Sequence, residues 1–116
     1  MAIYNSATLD RTFHALGDES RRRILATISH RGHCSAGELV NLFDCSQPTV
    51  SKHLRVMEKA GLLHRSIEGR QHIFSLKTES LKEADSWLQR HLDFWQNSLD
   101  QLTRYLDANA ENEQEK

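Results

Sequence analysis

The sequence is poor in residues that punctuate or cross-link a chain, with one proline, five glycines and two cysteines in 116 residues. So little Pro and Gly excludes a low-complexity or linker chain. Two cysteines cannot build a disulfide scaffold, and a reducing cytoplasm is the expected compartment. No stretch approaches the ~18 apolar residues of a membrane span, so no membrane partner is expected. Met1 to Arg11 lacks a basic start followed by an apolar run, and no secretory signal is expected there. No nucleophile elbow, phosphate loop or metal-hydrolase spacing appears, so no enzyme and no cofactor are expected.

An excess of one charge is also missing, since 15 Lys+Arg against 16 Asp+Glu give a formal -1. That near-neutrality hides a division. Residues 1–77 carry 11 basic and 7 acidic side chains, whereas residues 78–116 carry 4 and 9. A basic half beside an acidic half points to a polyanion-facing part and a second part with other work. With 38% hydrophobic residues the core is thin, and a second subunit is expected to complete it.

Apolar spacing predicts five helices. Leu9, Phe13 and Leu16 mark a first helix stopped by Gly17. Asp18 caps a second carrying Ile24, Leu25 and Ile28, which ends near Gly32. Ser35-Ala36-Gly37-Glu38 is a capping box that opens a third helix with Leu39, Val40, Leu42 and Phe43. Asp44-Cys45 breaks the chain, and Ser46 caps a fourth helix over 46–60 with Val50, Leu54 and Met57 inward. Over 63–76 the period falls to two on either side of Glu68-Gly69-Arg70, which predicts a hairpin with Gly69 at a positive φ. The last helix, expected over about 79–107, carries Leu81, Ala84, Leu88, Leu92, Trp95, Leu99, Leu102 and Leu106 in one stripe. Its stripe calls for a second copy of the chain. One domain over 1–110 with an acidic, disordered tail over 111–116 is the expected organisation.

A short helix, a tight turn, an amphipathic helix and a hairpin make a winged helix-turn-helix, mainly α with a small β-hairpin. The outward side of the fourth helix shows Ser51, Lys52, Arg55 and Lys59, with Gln47 and Thr49 in its first turn. Such a helix fits the major groove, where Gln pairs with adenine and Arg or Lys with guanine. Arg65 and Arg70 on the hairpin suit the DNA backbone or the adjacent minor groove.

Phe13-His14-Ala15-Leu16-Gly17-Asp18-Glu19-Ser20-Arg21-Arg22-Arg23-Ile24-Leu25 resembles the opening signature of ArsR/SmtB-type winged-helix repressors. Ser46 to Met57 resembles their recognition helix, and Ala60-Gly61-Leu62-Leu63 with Glu68-Gly69-Arg70 resembles their wing. The resemblance implies a homodimeric repressor joined through its first and last helices, with a double-stranded, palindromic DNA operator. It assigns DNA contact to Gln47, Thr49, Ser51, Lys52, His53, Arg55 and Arg70. It assigns the interface to the helices holding Leu9, Phe13, Leu88, Leu92, Trp95, Leu99 and Leu102. His53 lies beside the inward side of its helix, where a phosphate contact suits it better than a base. Arg21, Arg22 and Arg23 cannot share one face, so at most two of them approach phosphate.

Neither metal pattern familiar in that family is present, because Glu38 to Leu42 holds no cysteine and the last helix has His91 as its only histidine. No metal site is therefore assigned. An alternative keeps the same scaffold with a thiol or metal sensor at Cys34, helped by His30 and His33. Cys45 is expected to be a small buried residue, and its distance along the third helix from Cys34 excludes an internal disulfide.

Overall fold

Asp18 accepts a hydrogen bond from the Arg21 amide (3.0 Å) through its carboxylate, and Ser35 accepts one from the Glu38 amide (3.1 Å) through its hydroxyl. Each satisfies an amide that the first helical turn leaves unpaired, so capping residues set the helix starts. The computed structural model describes residues 6–114, with side chains described through residue 110. In chain order these are α1 (Ser6–Leu16), α2 (Glu19–Arg31), β1 (His33–Ser35), α3 (Ala36–Leu42), α4 (Gln47–Lys59), β2 (Leu63–Glu68), β3 (Gln71–Leu76) and α5 (Glu79–Gln114).

The sheet has three antiparallel strands in the order β1-β3-β2, not the two of a hairpin alone. Cys34 faces Phe74, and Arg65 faces Phe74 from the other side. Directly opposed residues share a face, so Cys34, Phe74 and Arg65 lie on one side of the sheet. Periodicity could not reveal β1, whose three residues are shorter than the alternation that marks a strand.

Residues up to Ala84 form one compact unit. Its core joins Ile24 and Ile28 of α2, Leu39 of α3, Val50, Leu54 and Met57 of α4, Leu62, and Phe74 of β3. α1 buries Leu9, Thr12 and Ala15 and packs the half-buried Leu16 against the core, so of the expected Leu9, Phe13 and Leu16 only Phe13 departs. Thr12 tolerates burial because its hydroxyl donates to the Thr8 carbonyl (2.9 Å). Phe13 is left 37% exposed.

α4 ends in a full Schellman motif. The Gly61 amide donates to the Glu58 carbonyl (3.0 Å) and the Leu62 amide to the Met57 carbonyl (2.9 Å). Gly61 sits at φ 74°, and a Cβ there would stand 2.7 Å from Ser80 Oγ. Gly69, at φ 64°, is the first of two residues joining β2 to β3. That matches a II′ hairpin turn.

Residues from Asp85 onward form a second unit, the body of α5. α5 runs to Gln114, past the expected end near 107. Its helical hydrogen bonds therefore reach into the segment expected to be disordered, and residues 115 and 116 lie outside the described residues. Leu88, Leu92, Trp95, Leu99, Leu102 and Leu106 of the stripe are each more than 40% exposed. No described helix is long and apolar enough to cross a membrane.

Candidate nucleic-acid interface

The turn from α3 to α4 is made by Phe43 to Ser46. Asp44 takes φ 29°, a conformation that Asp tolerates better than most residues. Ser46 then caps α4, accepting from the Thr49 amide (3.3 Å) and sharing a hydrogen bond between hydroxyls (2.8 Å) with Thr49. Pro48 lies in the first turn, where its missing amide costs nothing. With Val50, Leu54 and Met57 buried, α4 turns Gln47, Thr49, Lys52, Arg55 and Lys59 to the outside, with Ser51 half-buried.

Gln47, Ser51 and Arg55 stand four residues apart, so they stack along one side of α4. They meet Arg65 and His72 of the strands across an open cleft of about 310 Å³. The structure thus brings four of the sequence-assigned residues together, namely Gln47, Ser51, Arg55 and Arg65. Arg70 is exposed at the tip of the β2–β3 turn, beyond this cleft. Ile67, near the same tip, is 66% exposed. His53 stands elsewhere. It lines a separate hollow with Ser20 and Arg23 of α2 and Cys45 of the turn, and its Nδ1 is buried without a hydrogen-bond partner.

Two groups that the sequence reading gave no role shape this surface. Glu58 accepts a hydrogen bond from Arg65 Nη2, and the Arg65 guanidinium also lies 5.4 Å over the Phe74 ring. His72 lines the cleft beside both arginines, and its Nδ1 is buried without a hydrogen-bond partner. The pairing of Glu58 with Arg65 depends on how the hairpin packs against α4, and no local pattern encodes that register.

The arginine run has a different task from the expected phosphate approach. Arg21 donates from Nε to the Ala15 carbonyl (2.8 Å) and from Nη2 to the His14 carbonyl (3.0 Å). Arg22 donates from Nη1 to the Leu16 carbonyl (2.7 Å). Arg23 lies 5.4 Å over the Phe43 ring. Two of these side chains thus cap the unpaired carbonyls ending α1, and the third packs on the helix-turn-helix. Asp18, between α1 and α2, is held below the ordinary carboxylate range chiefly by the Arg21 amide, and also by nearby Arg21 and His53.

The candidate sensor does not assemble. Cys34 is fully buried, and burial, reinforced by the Glu38 carboxylate, pushes its thiol above the ordinary range. His33 is exposed and, as a neighbour on a strand, points to the opposite face. Among the described residues no three His, Cys, Asp or Glu side chains stand close enough to hold a metal. His91 of α5 stacks on Trp87 with ring centroids 4.0 Å apart, and donates to the Trp87 carbonyl (2.9 Å). Cys45, expected to be buried, is exposed and lines the same hollow as Val50 and His53.

Comparison with known proteins places this geometry among regulators. A helix-turn-helix domain family matches residues 16–66. The HTH-type transcriptional regulator Rv2034 of Mycobacterium tuberculosis is 31% identical over 96% of this chain and 98% of its own length. The transcriptional repressor SdpR of Bacillus subtilis is 28% identical over 78% of this chain and its whole length. Among solved structures, an ArsR-like transcriptional regulator from Rhodococcus sp. RHA1 superposes with a TM-score of 0.78 at 26% identity, over 93% of this chain and 98% of that one.

Proposed function

The chain belongs to the ArsR/SmtB-type winged helix-turn-helix regulators of transcription, DNA-binding proteins rather than enzymes, and on that premise we propose that it acts as a homodimeric repressor on a palindromic operator. In this reading α4 enters the major groove, Gln47, Thr49, Ser51, Lys52 and Arg55 reach bases and phosphates, and the wing lays Arg70 along the backbone. His53 serves as a phosphate contact at the flank of α4. The observation that carries the reading is the division of α4, whose apolar side closes the core while Gln47, Ser51 and Arg55 share an open cleft with Arg65 of the wing.

The dimer rests on α5 and α1. Leu88, Leu92, Trp95, Leu99 and Leu102 form a continuous exposed apolar stripe that a second copy of the same helix would cover. On α1, Phe13 is exposed and available to a partner, whereas Leu9, which the sequence also assigned to the interface, is buried within its own chain. Two copies related by a two-fold axis place half-sites about one DNA turn, ~34 Å, apart. Repression then follows from occupancy of a promoter, with no metal or cofactor required.

The test is Arg55→Ala on a duplex selected from genomic fragments by the purified protein. If Arg55 reads a base, the variant loses about 1–3 kcal/mol of binding and tolerates changes at one position of each half-site. Unchanged affinity and preference would remove α4 from the interface.

A further inference from the structure

The surface beside the cleft contains an anion already in place. Arg55, Glu58 and Lys59 of α4 and Arg65 of β2 line a second open hollow of about 340 Å³. Arg55 and Lys59 are one turn apart and exposed, and among the described residues neither has an ion-pair partner in its own chain. Glu58 lies between them on the helix and accepts from the Arg65 guanidinium. Three cations and one carboxylate therefore line the hollow, a local excess of +2.

We infer that this hollow is a subsite for one phosphodiester of the DNA backbone, and that Glu58 occupies it in the free protein until the phosphate displaces it. The inference rests on the DNA-binding reading above. A carboxylate and a phosphodiester offer a guanidinium the same pair of acceptor oxygens, so they compete for Arg65. The competition is reversible because the side chains of Arg65 and Glu58 are 36% and 31% exposed, and solvent weakens such pairs. Arg65 meanwhile keeps its place, since the Phe74 ring beneath its guanidinium (5.4 Å) does not depend on Glu58. Exchange therefore swaps one anion for another on a cation that is already positioned. Glu58 acts as an internal competitor that lowers affinity for every duplex.

The test compares Glu58→Gln, Arg65→Ala and the double variant with the wild-type chain on a random-sequence duplex at ~0.1 M salt. Gln keeps the shape and the surface position, so folding is preserved, and a thermal melt checks this. Glu58→Gln is expected to tighten binding about two- to fivefold, the range of an exposed ion pair. Arg65→Ala is expected to cost more in the Glu58→Gln background than in the wild type, because the competitor is gone. Weaker or unchanged binding by Glu58→Gln would overturn the inference, as would an equal Arg65→Ala loss in both backgrounds, which reports only general repulsion of DNA. Millimolar inorganic phosphate at matched ionic strength should leave the duplex titration unchanged. Saturable competition would assign the hollow to a free phosphate and overturn the backbone reading. If wild-type chain shows no salt-dependent binding, the DNA reading itself falls. Wild-type binding with no effect of Glu58→Gln overturns the subsite alone.

Discussion

Arg65 lies on the same sheet face as Cys34 and Phe74, so a cation borders the core, over an aromatic ring and tied to Glu58. Cys34, further in on that face, is fully buried, and burial with the Glu38 carboxylate keeps its thiol protonated at neutral pH. Cys45 is exposed. Because the thiolate is the reactive form, a disulfide-exchange reagent should label one thiol of the native protein quickly and the other only on unfolding. Cys45→Ser should abolish the fast phase and Cys34→Ser should leave it intact; a fast phase surviving Cys45→Ser would contradict the assigned burial. The sequence suggested burial for Cys45 and offered Cys34 only as an alternative sensor. The burial of Cys34 was not legible because it comes from pairing with Phe74, forty positions away. Cys45 was misjudged because a turn residue between two buried helices reads as core. The outward residues of α4 were legible, since one periodic helix with Val50, Leu54 and Met57 inside fixes what lies outside. The wing arginines were legible too, but the pairing of Arg65 with Glu58 and the place of His72 in the cleft were not, since side chains from separate elements meet only through tertiary register.

Among the elements, the junction of α4 and β2 governs how the wing meets the reading helix. Gly61 makes that junction at φ 74° with both Schellman hydrogen bonds formed. Gly61→Ala should destabilise the fold by about 1–2 kcal/mol, because an L-residue is strained there, and the urea midpoint should fall with it. Gly61→Asn should cost less, as Asn enters this region more readily. Equal stability of Gly61→Ala and wild type would contradict the motif. Capping signals at Asp18, Ser35 and Ser46 made the helix starts readable, and Gly69 made the wing tip readable. The arginine run was opaque, because whether Arg21 and Arg22 face phosphate or the carbonyls ending α1 depends on how two helices pack.

At the scale of the molecule, the net charge of -1 is the sum of a basic excess in residues 1–77 and an acidic excess in residues 78–116. The basic part contains the helix-turn-helix and wing, and the acidic part contains α5 with its exposed stripe. In the proposed dimer, Trp95, 61% exposed in the single chain, becomes a central anchor. Trp95→Ala should then weaken association by about 2 kcal/mol or more, seen as a lower mass at equal concentration in sedimentation equilibrium. An unchanged mass would remove the stripe from the interface. The central claim is that a chain of near-zero net charge binds duplex DNA through the cations of α4 and the wing. Its most direct test is the affinity for a selected duplex measured against salt. The account predicts log affinity falling linearly with log salt, at a slope steeper than about -4, since each neutralised phosphate contributes ~0.9. A flat response would contradict it.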